Sequence, residues 1–205
     1  MQDYPSLERG VVYKGKPIYA FDKLDGSQIR AEWAKKKKFW KFGTRKHLID
    51  AETEGWGEAV VRVFEKYEKD LHDIFVKQRY QKVTCFFEFA GRNSFAGVHE
   101  KEKHDVTLFD VRVSGKGILL PKDFLKLTKN VETPKMLYYG NANEVFVDVV
   151  KKGELEGMTF EGVVCKSQEY KTPGRPWMFK LKNSAWLARL RKRCEGNEVL
   201  FKKLA

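Results

Sequence analysis

Two lysines near the end of the sequence have the spacing of a small anion-binding site. Lys180-Leu181-Lys182 places two amines on one face of an expected strand, because side chains two residues apart on a strand point to the same side. Like charges held so close are mildly destabilising unless an anion lies between them. The run Glu161-Gly162-Val163-Val164-Cys165-Lys166 is a second β-rich segment, and it opens with a carboxylate and closes with an amine. These residue types predict a charged site built on two strands.

A third candidate is Lys23-Leu24-Asp25-Gly26, which follows the β-rich run Tyr19-Ala20-Phe21-Asp22. By itself this segment is equally typical of a hairpin turn, because Asp-Gly is a strong turn signal and a flanking lysine is usually solvated. The fourth is Glu88, which lies within the apolar stretch Phe86-Phe87-Glu88-Phe89, where an unpartnered buried carboxylate would be costly. The order and spacing of all four favour a common site.

The net charge of +12 predicts a polyanionic partner, because a basic field concentrates phosphate-bearing molecules. Basic residues fall between Glu32 and Asp50 with no acidic residue among them: Lys35, Lys36, Lys37, Lys38, Lys41, Arg45 and Lys46. Phe39, Trp40 and Phe42 are interleaved with them. The segment is either a nucleic-acid-facing hairpin with rings for stacking, or a solvated lysine turn before a strand whose rings pack inward. A second basic cluster comprises Arg189, Arg191, Lys192 and Arg193.

These residues must be positioned by a mixture of strands and helices. Four β-rich runs alternate with a clear amphipathic helix from about Trp56 to Phe75. Asn143 could cap a shorter helix, although the residues after it would also suit a buried strand. We predict an α+β fold with antiparallel sheets, a single domain over residues 1–205, and a basic C-terminal helix at about 184–203.

Composition excludes several classes of protein. With 42% hydrophobic and 14% aromatic residues, the 205-residue chain carries ample core-forming material. No apolar run approaches the eighteen or so residues of a membrane span, and the first residues lack the layout of a signal peptide. Three cysteines without a CxxC pair argue against a disulfide framework and a zinc site. We therefore expect reduced thiols, a cytoplasmic location, no membrane partner and a monomer.

Taken in order, the motifs resemble those of the covalent nucleotidyltransferases, the superfamily of ATP-dependent polynucleotide ligases and capping enzymes. The matching segments are Lys23–Gly26, Phe42-Gly43-Thr44-Arg45, Phe87-Glu88-Phe89-Ala90-Gly91, Leu108-Phe109-Asp110-Val111, Glu161–Lys166 and Lys180–Lys182. The resemblance covers about Phe21 to Lys182 and is nearest to the nick-sealing phage RNA ligases. It implies an ATP-grasp-like nucleotidyltransferase domain of antiparallel sheets flanked by helices, with the ATP pocket between them.

The resemblance also implies a role for each site residue. Lys23 would take AMP from ATP and pass it to a polynucleotide 5′-phosphate, which is then sealed to a 3′-hydroxyl. Lys180, Lys182 and a Mg²⁺ or Mn²⁺ ion on Glu161 would neutralise the triphosphate and lower the pKa of Lys23, since neighbouring cations disfavour an ammonium. The remaining ATP contacts would come from Asp22 at the adenine edge, Arg45 and Glu88 at the ribose, and Phe109 stacked on adenine. Arg45 would alternatively meet the 5′-phosphate.

Two departures from the family pattern leave the polynucleotide open. Five residues beyond the lysine, DNA ligases typically have Arg and nick-sealing RNA ligases Asn, whereas this chain has Gln28. No OB-fold or helical domain is expected after the last motif. The expected partner is an RNA or RNA/DNA nicked duplex. DNA alone and an accessory protein are further candidates. A phage-encoded chain would act in the host cytoplasm. The alternatives are a DNA ligase, a guanylyltransferase, and a nucleic-acid-binding module without catalysis.

Overall fold

A computed structural model describes residues 1–11, 15–92, 94, 96 and 99–205. The strands are β1 (Glu8–Arg9), β2 (Pro17–Asp22), β3 (Gly26–Ala34), β4 (Lys38–Gly43), β5 (Leu48–Ile49), β6 (Lys82–Ala90), β7 (Asp105–Val113), β8 (Gly117–Ile118), β9 (Met136–Asn141), β10 (Gly162–Thr172) and β11 (Arg175–Lys182). The helices are α1 (Gly57–Lys77), α2 (Pro121–Leu127), α3 (Glu144–Lys152), α4 (Ser184–Arg193) and α5 (Glu198–Leu204). The α+β prediction is confirmed.

The larger sheet has the strand order β5-β4-β3-β6-β7-β8, and every neighbouring pair in it is antiparallel. Alternate residues of its strands bury one face under α1, whose apolar stripe was clear in the sequence. Trp33 and Phe87 from the sheet and Tyr67, Leu71 and Phe75 from α1 are almost completely buried there. The other face of this sheet carries polar residues and is the one that positions the site.

The smaller sheet has the order β1-β11-β10-β2-β9, in which only the two-residue β1 pairs in parallel. The apolar cluster of this sheet includes Phe146 and Val150 of α3. The ambiguity at Asn143 is resolved in favour of a helix: its side chain accepts a hydrogen bond from the backbone N–H of Phe146 at 2.9 Å. The two sheets meet where Met178 packs near Tyr4 and Phe86.

The expected continuous helix at 184–203 is wrong, because two helices occupy this segment. Glu195 and Gly196 both have positive φ angles, 47° and 82°, which end α4 as the left-handed backbone commonly ends a helix. Asn197 then caps α5 by accepting from the backbone N–H of Leu200 at 2.9 Å. The turn lets Phe201 fold back onto the cluster around Trp186.

Within the described ranges, no helix is long and apolar enough to cross a membrane. Cys85, Cys165 and Cys194 are unpaired and buried.

Candidate active site

A cavity of about 610 Å³ lies between the two sheets, and most of the residues that the motifs singled out line it. Its size is within the range of small-molecule sites, which is about 300–1,000 Å³. The predicted residues on its wall are Asp22, Lys23, Arg45, Glu88, Phe109, Glu161, Lys180 and Lys182. The strands therefore bring together eight positions that are up to 160 residues apart in the chain.

Lys23, Glu161 and Lys182 form one charged cluster. The Lys23 amine donates to Oε2 of Glu161 at 2.9 Å, and the Lys182 amine donates to Oε1 of the same carboxylate. Glu161 is only 4% exposed. Its position depends on Gly162, because a Cβ there would lie 2.1 Å from the carbonyl oxygen of Leu181. The close approach of β10 and β11 at this glycine sets the carboxylate beside the lysine strand.

The three lysines differ in the direction in which their pKa values are shifted. Burial, and then the positive charges of Lys182 and Lys23, lowers the pKa of Lys180 to about 7. Burial also lowers the pKa of Lys182 to about 8, although the Glu161 carboxylate opposes the shift. For Lys23, burial acts in the lowering direction, but Glu161 and then Glu88 outweigh it and raise the pKa. In the protein alone the nearest charges to Lys23 are carboxylates, and the lowering of its pKa expected with a bound metal ion stays a prediction.

Lys180 has a partner of its own on the C-terminal side of the chain. Its amine donates to the backbone carbonyl of Ala205 at 2.7 Å. Lys203 and Leu204 line the cavity beside it. The end of α5 therefore forms part of the cavity wall, which no motif in the sequence indicated.

Glu88 faces the same cavity from β6. Burial, reinforced by the negative charge of Glu161 and opposed by Lys23, raises the pKa of Glu88 to about 7. Glu88 pairs in register with Gln28 of β3, and the Arg45 guanidinium donates to Gln28 Oε1 at 3.4 Å. The Gln28 amide nitrogen is buried and has no partner within the described residues. A buried donor without a partner on the cavity wall suits a ligand that carries acceptor oxygens.

Phe109 lies at a β-bulge and lines the cavity. Along β7, Leu108 and Asp110 both pair with β6, and Phe109 is the extra residue between them. The offset places Phe109 and Asp110 together on the face opposite the core residues Leu108 and Val111. The ring of Tyr4 holds Phe109 in an edge contact with centroids 5.1 Å apart. The alternation of apolar residues gave no sign of this bulge.

Beneath Phe109, a buried ion pair joins the two sheets. The Lys166 amine of β10 donates to Asp110 Oδ2 of β7 at 2.8 Å and to the Phe109 carbonyl at 3.0 Å. The Tyr4 hydroxyl also donates to Asp110 Oδ2, at 2.8 Å. The side chains of Lys166 and Asp110 are 4% and 0% exposed. Both residues belong to recognised motifs, but the sequence showed neither their pairing nor Tyr4.

Asp22 and Asp25 flank the lysine on the chain and hold structural contacts. Asp22 accepts from the backbone N–H and the hydroxyl of Thr159, at 3.0 and 2.9 Å. Burial raises its pKa, and the Thr159 bonds partly offset that shift. Asp25 accepts from the Trp186 indole N–H at 3.0 Å. The role of Asp22 at the adenine edge stays a prediction.

Of the predicted nucleic-acid contacts, Arg45 lines this cavity, whereas the two lysine- and arginine-rich clusters lie apart from it. None of Lys35–Lys38 lines it, because they occupy the turn at the opposite end of β3 from Lys23. Phe39 and Phe42 pack inward, whereas Trp40 is 43% exposed and has the Lys37 amine 4.4 Å from its ring centroid. The second cluster, Arg189, Arg191, Lys192 and Arg193, is also outside the lining.

Part of that second cluster is engaged within the chain. Arg191 forms an ion pair with Glu198 of α5, and Arg193 pairs with Glu100 at 2.7 Å. The Arg191 guanidinium also lies 4.1 Å from the ring centroid of Phe201. These pairs join α4 to α5 and to the segment before β7, so they give the cluster a structural role in addition to the predicted one.

The cavity's donor set fits a hard divalent cation that is held mainly by its substrate. In the part of the chain that the structure describes, no group of three or more His, Cys, Asp or Glu side chains could enclose a metal ion. Mg²⁺ is usually bound through one or two carboxylates together with substrate phosphates and water. Glu161, flanked by Lys23 and Lys182, has the chemistry for that arrangement.

Solved structures similar to this chain establish the fold. A Naegleria gruberi RNA ligase with PPi matches with a TM-score of 0.66 and 17% identity over 88% of this chain and 53% of that one. A mutant of the same ligase with ATP and Mn matches with a TM-score of 0.63 and 18% identity, with the same coverage. The chain therefore spans about half the length of the structures that it matches. No curated protein sequence matches it.

The two sheets with a cavity between them define the nucleotidyltransferase fold of RNA ligases. The sequence leads to the same class, because the RNA ligase family model matches residues 16–182. The chain belongs to the RNA ligase family.

Proposed function

We propose that this protein is an ATP-dependent RNA ligase whose reaction begins with transfer of AMP to Lys23. The Lys23 nitrogen attacks the α-phosphorus of ATP, the P–N bond forms and the bond to pyrophosphate breaks. The 5′-phosphate of a polynucleotide then displaces the lysine and takes the AMP, and a 3′-hydroxyl finally displaces AMP and forms the phosphodiester. The observation that carries the proposal is the cluster of Lys23, Glu161 and Lys182 in a cavity large enough for a nucleotide.

The charged residues around Lys23 have different roles in the reaction. Lys180 and Lys182 stabilise the negative charge that develops on the α-phosphate and the departing pyrophosphate, which is an electrostatic task. A Mg²⁺ or Mn²⁺ ion bound at Glu161 would add positive charge at the phosphates. Glu161 holds the Lys23 amine in place at 2.9 Å before the reaction. Lys23 must lose a proton before it attacks, because only the neutral amine is a nucleophile.

We assign the nucleotide contacts by the position of each group on the cavity wall. Phe109 presents a ring to the adenine, and Glu88 accepts from the ribose hydroxyls. Arg45 and Gln28 lie together at 3.4 Å and face either the ribose or the incoming 5′-phosphate. Asp22 fixes the loop at Thr159 by accepting two hydrogen bonds, and through that loop it contributes to binding the edge of the adenine.

The substrate is a nicked duplex with RNA on the 3′-hydroxyl side, and the protein acts as a cytoplasmic monomer. Family membership supports RNA, and the three buried unpaired cysteines suit a reducing compartment. Arg189, Arg191, Lys192 and Arg193 contribute to the polynucleotide surface where their intramolecular pairs leave donors available. A comparison of nicks with RNA or DNA on the 3′-hydroxyl side, at low salt and excess protein, tests this assignment. Equal sealing of the two nicks would instead favour a DNA ligase.

The first-step assignment is tested by intact mass after incubation with ATP and Mg²⁺ or Mn²⁺. We expect one AMP on the wild-type protein and none on Lys23→Ala. Lys23→Arg is also expected to fail, because a guanidinium does not deprotonate in the accessible pH range. The matched control is Lys129→Ala, an exposed lysine outside the cavity, which should label at the wild-type rate.

Labelling of Lys23→Ala would contradict the nucleophile. Labelling by GTP in preference to ATP would favour a guanylyltransferase, and a wild-type protein that binds nucleic acid but labels with no nucleotide would be a binding module.

A further inference from the structure

A second cavity, of about 330 Å³, lies at the far end of the larger sheet from the nucleotide cavity. Its charged lining residues are Glu32 of β3, Lys82 of β6, Arg112 of β7 and Lys116 of the turn before β8. Three cations and one carboxylate leave two positive charges in excess. None of the predicted catalytic residues borders it.

Both cavities lie on the same face of this sheet. Gln28 and Glu32 are four residues apart on β3, so their side chains point to the same side. Gln28 pairs with Glu88 in the nucleotide cavity, and Glu32 pairs with Thr84, which in turn pairs with Arg112 in the second. At a rise of about 3.3 Å per residue, the two rows are ~13 Å apart.

Arg112 is the feature that points to an absent anion. Arg112 is partly buried, and no hydrogen bond or ion pair joins its side chain to any residue that the structure describes. The carboxylate of Glu32 is paired with Lys82 at 3.6 Å. An arginine carries five N–H donors in a planar fork suited to phosphate.

The wall of this cavity is rigid. Gly117 of β8 and Gly174 between β10 and β11 touch backbone to backbone, because a Cβ on Gly117 would lie 2.1 Å from the Gly174 Cα. The Ile118 N–H also donates to the Gly174 carbonyl at 2.9 Å. The hairpin that carries Lys116 is therefore fixed to the other sheet.

The turn that carries Lys35–Lys38 continues the positive surface beyond the cavity. Lys38 pairs in register with Ala34, whose other neighbour is Lys82, and Lys41 pairs with Glu32. The three lysines and Glu32 share one sheet face, on neighbouring strands about 4.8 Å apart. A backbone phosphate bound at Arg112 would thus lie on the same sheet face as further cations.

We propose that this second cavity binds a backbone phosphate of the polynucleotide substrate, through Arg112 and Lys116. The substrate class rests on the proposed function. The row of Arg30, Phe86 and Asp110 lies between the two cavities and is buried, so a strand cannot cross this part of the sheet face directly. The site therefore holds a phosphate away from the end that reacts in the nucleotide cavity.

The test uses a fluorescein-labelled nicked RNA duplex, without ATP, and fluorescence anisotropy over a range of KCl concentrations. We expect Arg112→Gln/Lys116→Gln to reduce the slope of log Kd against log salt by about 1 to 2, because each phosphate contact releases counterions. Lys82 is left intact, since it is an ion-pair partner of the buried Glu32 carboxylate. The control is Lys69→Gln/Lys129→Gln, two exposed lysines outside both cavities, with the same change in net charge.

A second arm locates the contact. Single phosphates of the nicked strands are replaced in turn by uncharged methylphosphonates, and wild-type affinity should fall at one position away from the nick. The double variant should lose that sensitivity while its AMP labelling with ATP stays at the wild-type rate.

Three outcomes would overturn the proposal: a salt slope no lower than that of the control pair, no position-dependent loss, or displacement of the duplex by inorganic phosphate at equal phosphate concentration. Failure of the proposed function is separate, because it would show as absent AMP labelling of the wild-type protein.

Discussion

Asp110→Asn should destabilise the protein more than almost any other isosteric change, because it removes the countercharge of Lys166. The carboxylate and the amine are 2.8 Å apart and are 0% and 4% exposed, so solvent screens neither. Breaking a buried ion pair by removing one partner costs about 3–5 kcal/mol, since the other charge is left uncompensated. In a chain of this size, that loss lowers the thermal midpoint by roughly 6–20 °C.

The remaining contacts of Lys166 do not replace the carboxylate. Its amine donates to the Phe109 carbonyl at 3.0 Å and lies 5.1 and 5.4 Å from the ring centroids of Phe21 and Phe124. These are partial negative charges, whereas the ammonium carries a full positive one. The Tyr4 hydroxyl, 2.8 Å from Asp110 Oδ2, would also lose a charged acceptor.

The assay is urea unfolding of four proteins: wild type, Asp110→Asn, Lys166→Met, and the double variant. We expect the double variant to be more stable than the sum of the single losses predicts, with a coupling of about 2–3 kcal/mol. The double variant removes both charges together, which is often close to neutral in a buried site. A loss below about 1 kcal/mol for Asp110→Asn, or strict additivity of the two single losses, would show that the ion pair does not stabilise the fold.

Two further predictions concern other contacts of the site. Because the pKa of Lys180 is lowered to about 7, the unliganded protein loses this charge as pH rises through 7, while bound triphosphate favours the ammonium. Affinity of the wild-type protein for a non-hydrolysable ATP analogue should therefore fall as pH rises above about 7, and Lys180→Met should flatten that dependence; identical pH profiles would contradict it. Trp186→Phe removes the 3.0 Å bond to Asp25 and should cost about 1–3 kcal/mol in urea unfolding. Trp40→Phe, at a 43% exposed ring, should stay within about 0.5 kcal/mol.

Local patterns predicted the elements well because each depends on neighbours in the sequence. The apolar period of α1 and the alternation in β6 and β7 reflect one buried face, and α1 forms within two residues of the predicted bounds. The ordered motifs predicted the family and the fold, and both are confirmed. The residues expected at the nucleotide line one cavity, although their individual roles stay predictions.

What the sequence did not show depends on long-range geometry. The contact of Tyr4 with Asp110 joins positions 106 residues apart, and no local pattern marks it. The bulge at Phe109 is a one-residue offset between two strands that look regular when read singly. The rise in the Lys23 pKa has the same origin, because the carboxylate of Glu161 comes from 138 positions away.

The position of the lysine turn also required the fold. Lys35–Lys38 and Lys23 are close in sequence, but β3 separates them by its full length of nine residues. A strand of that length extends about 30 Å, so residues that are close in the sequence lie at opposite ends of β3.

The ion pair between Lys23 and Glu161 bears on the chemical durability of the protein. A neutral amine in an open cavity would react with cyanate or acyl phosphates, and each such adduct would block it permanently. The raised pKa keeps Lys23 as an ammonium, which has no lone pair to offer such reagents. The carboxylate thus keeps the amine unreactive without any covalent modification, and it preserves the nucleophile until ATP binds.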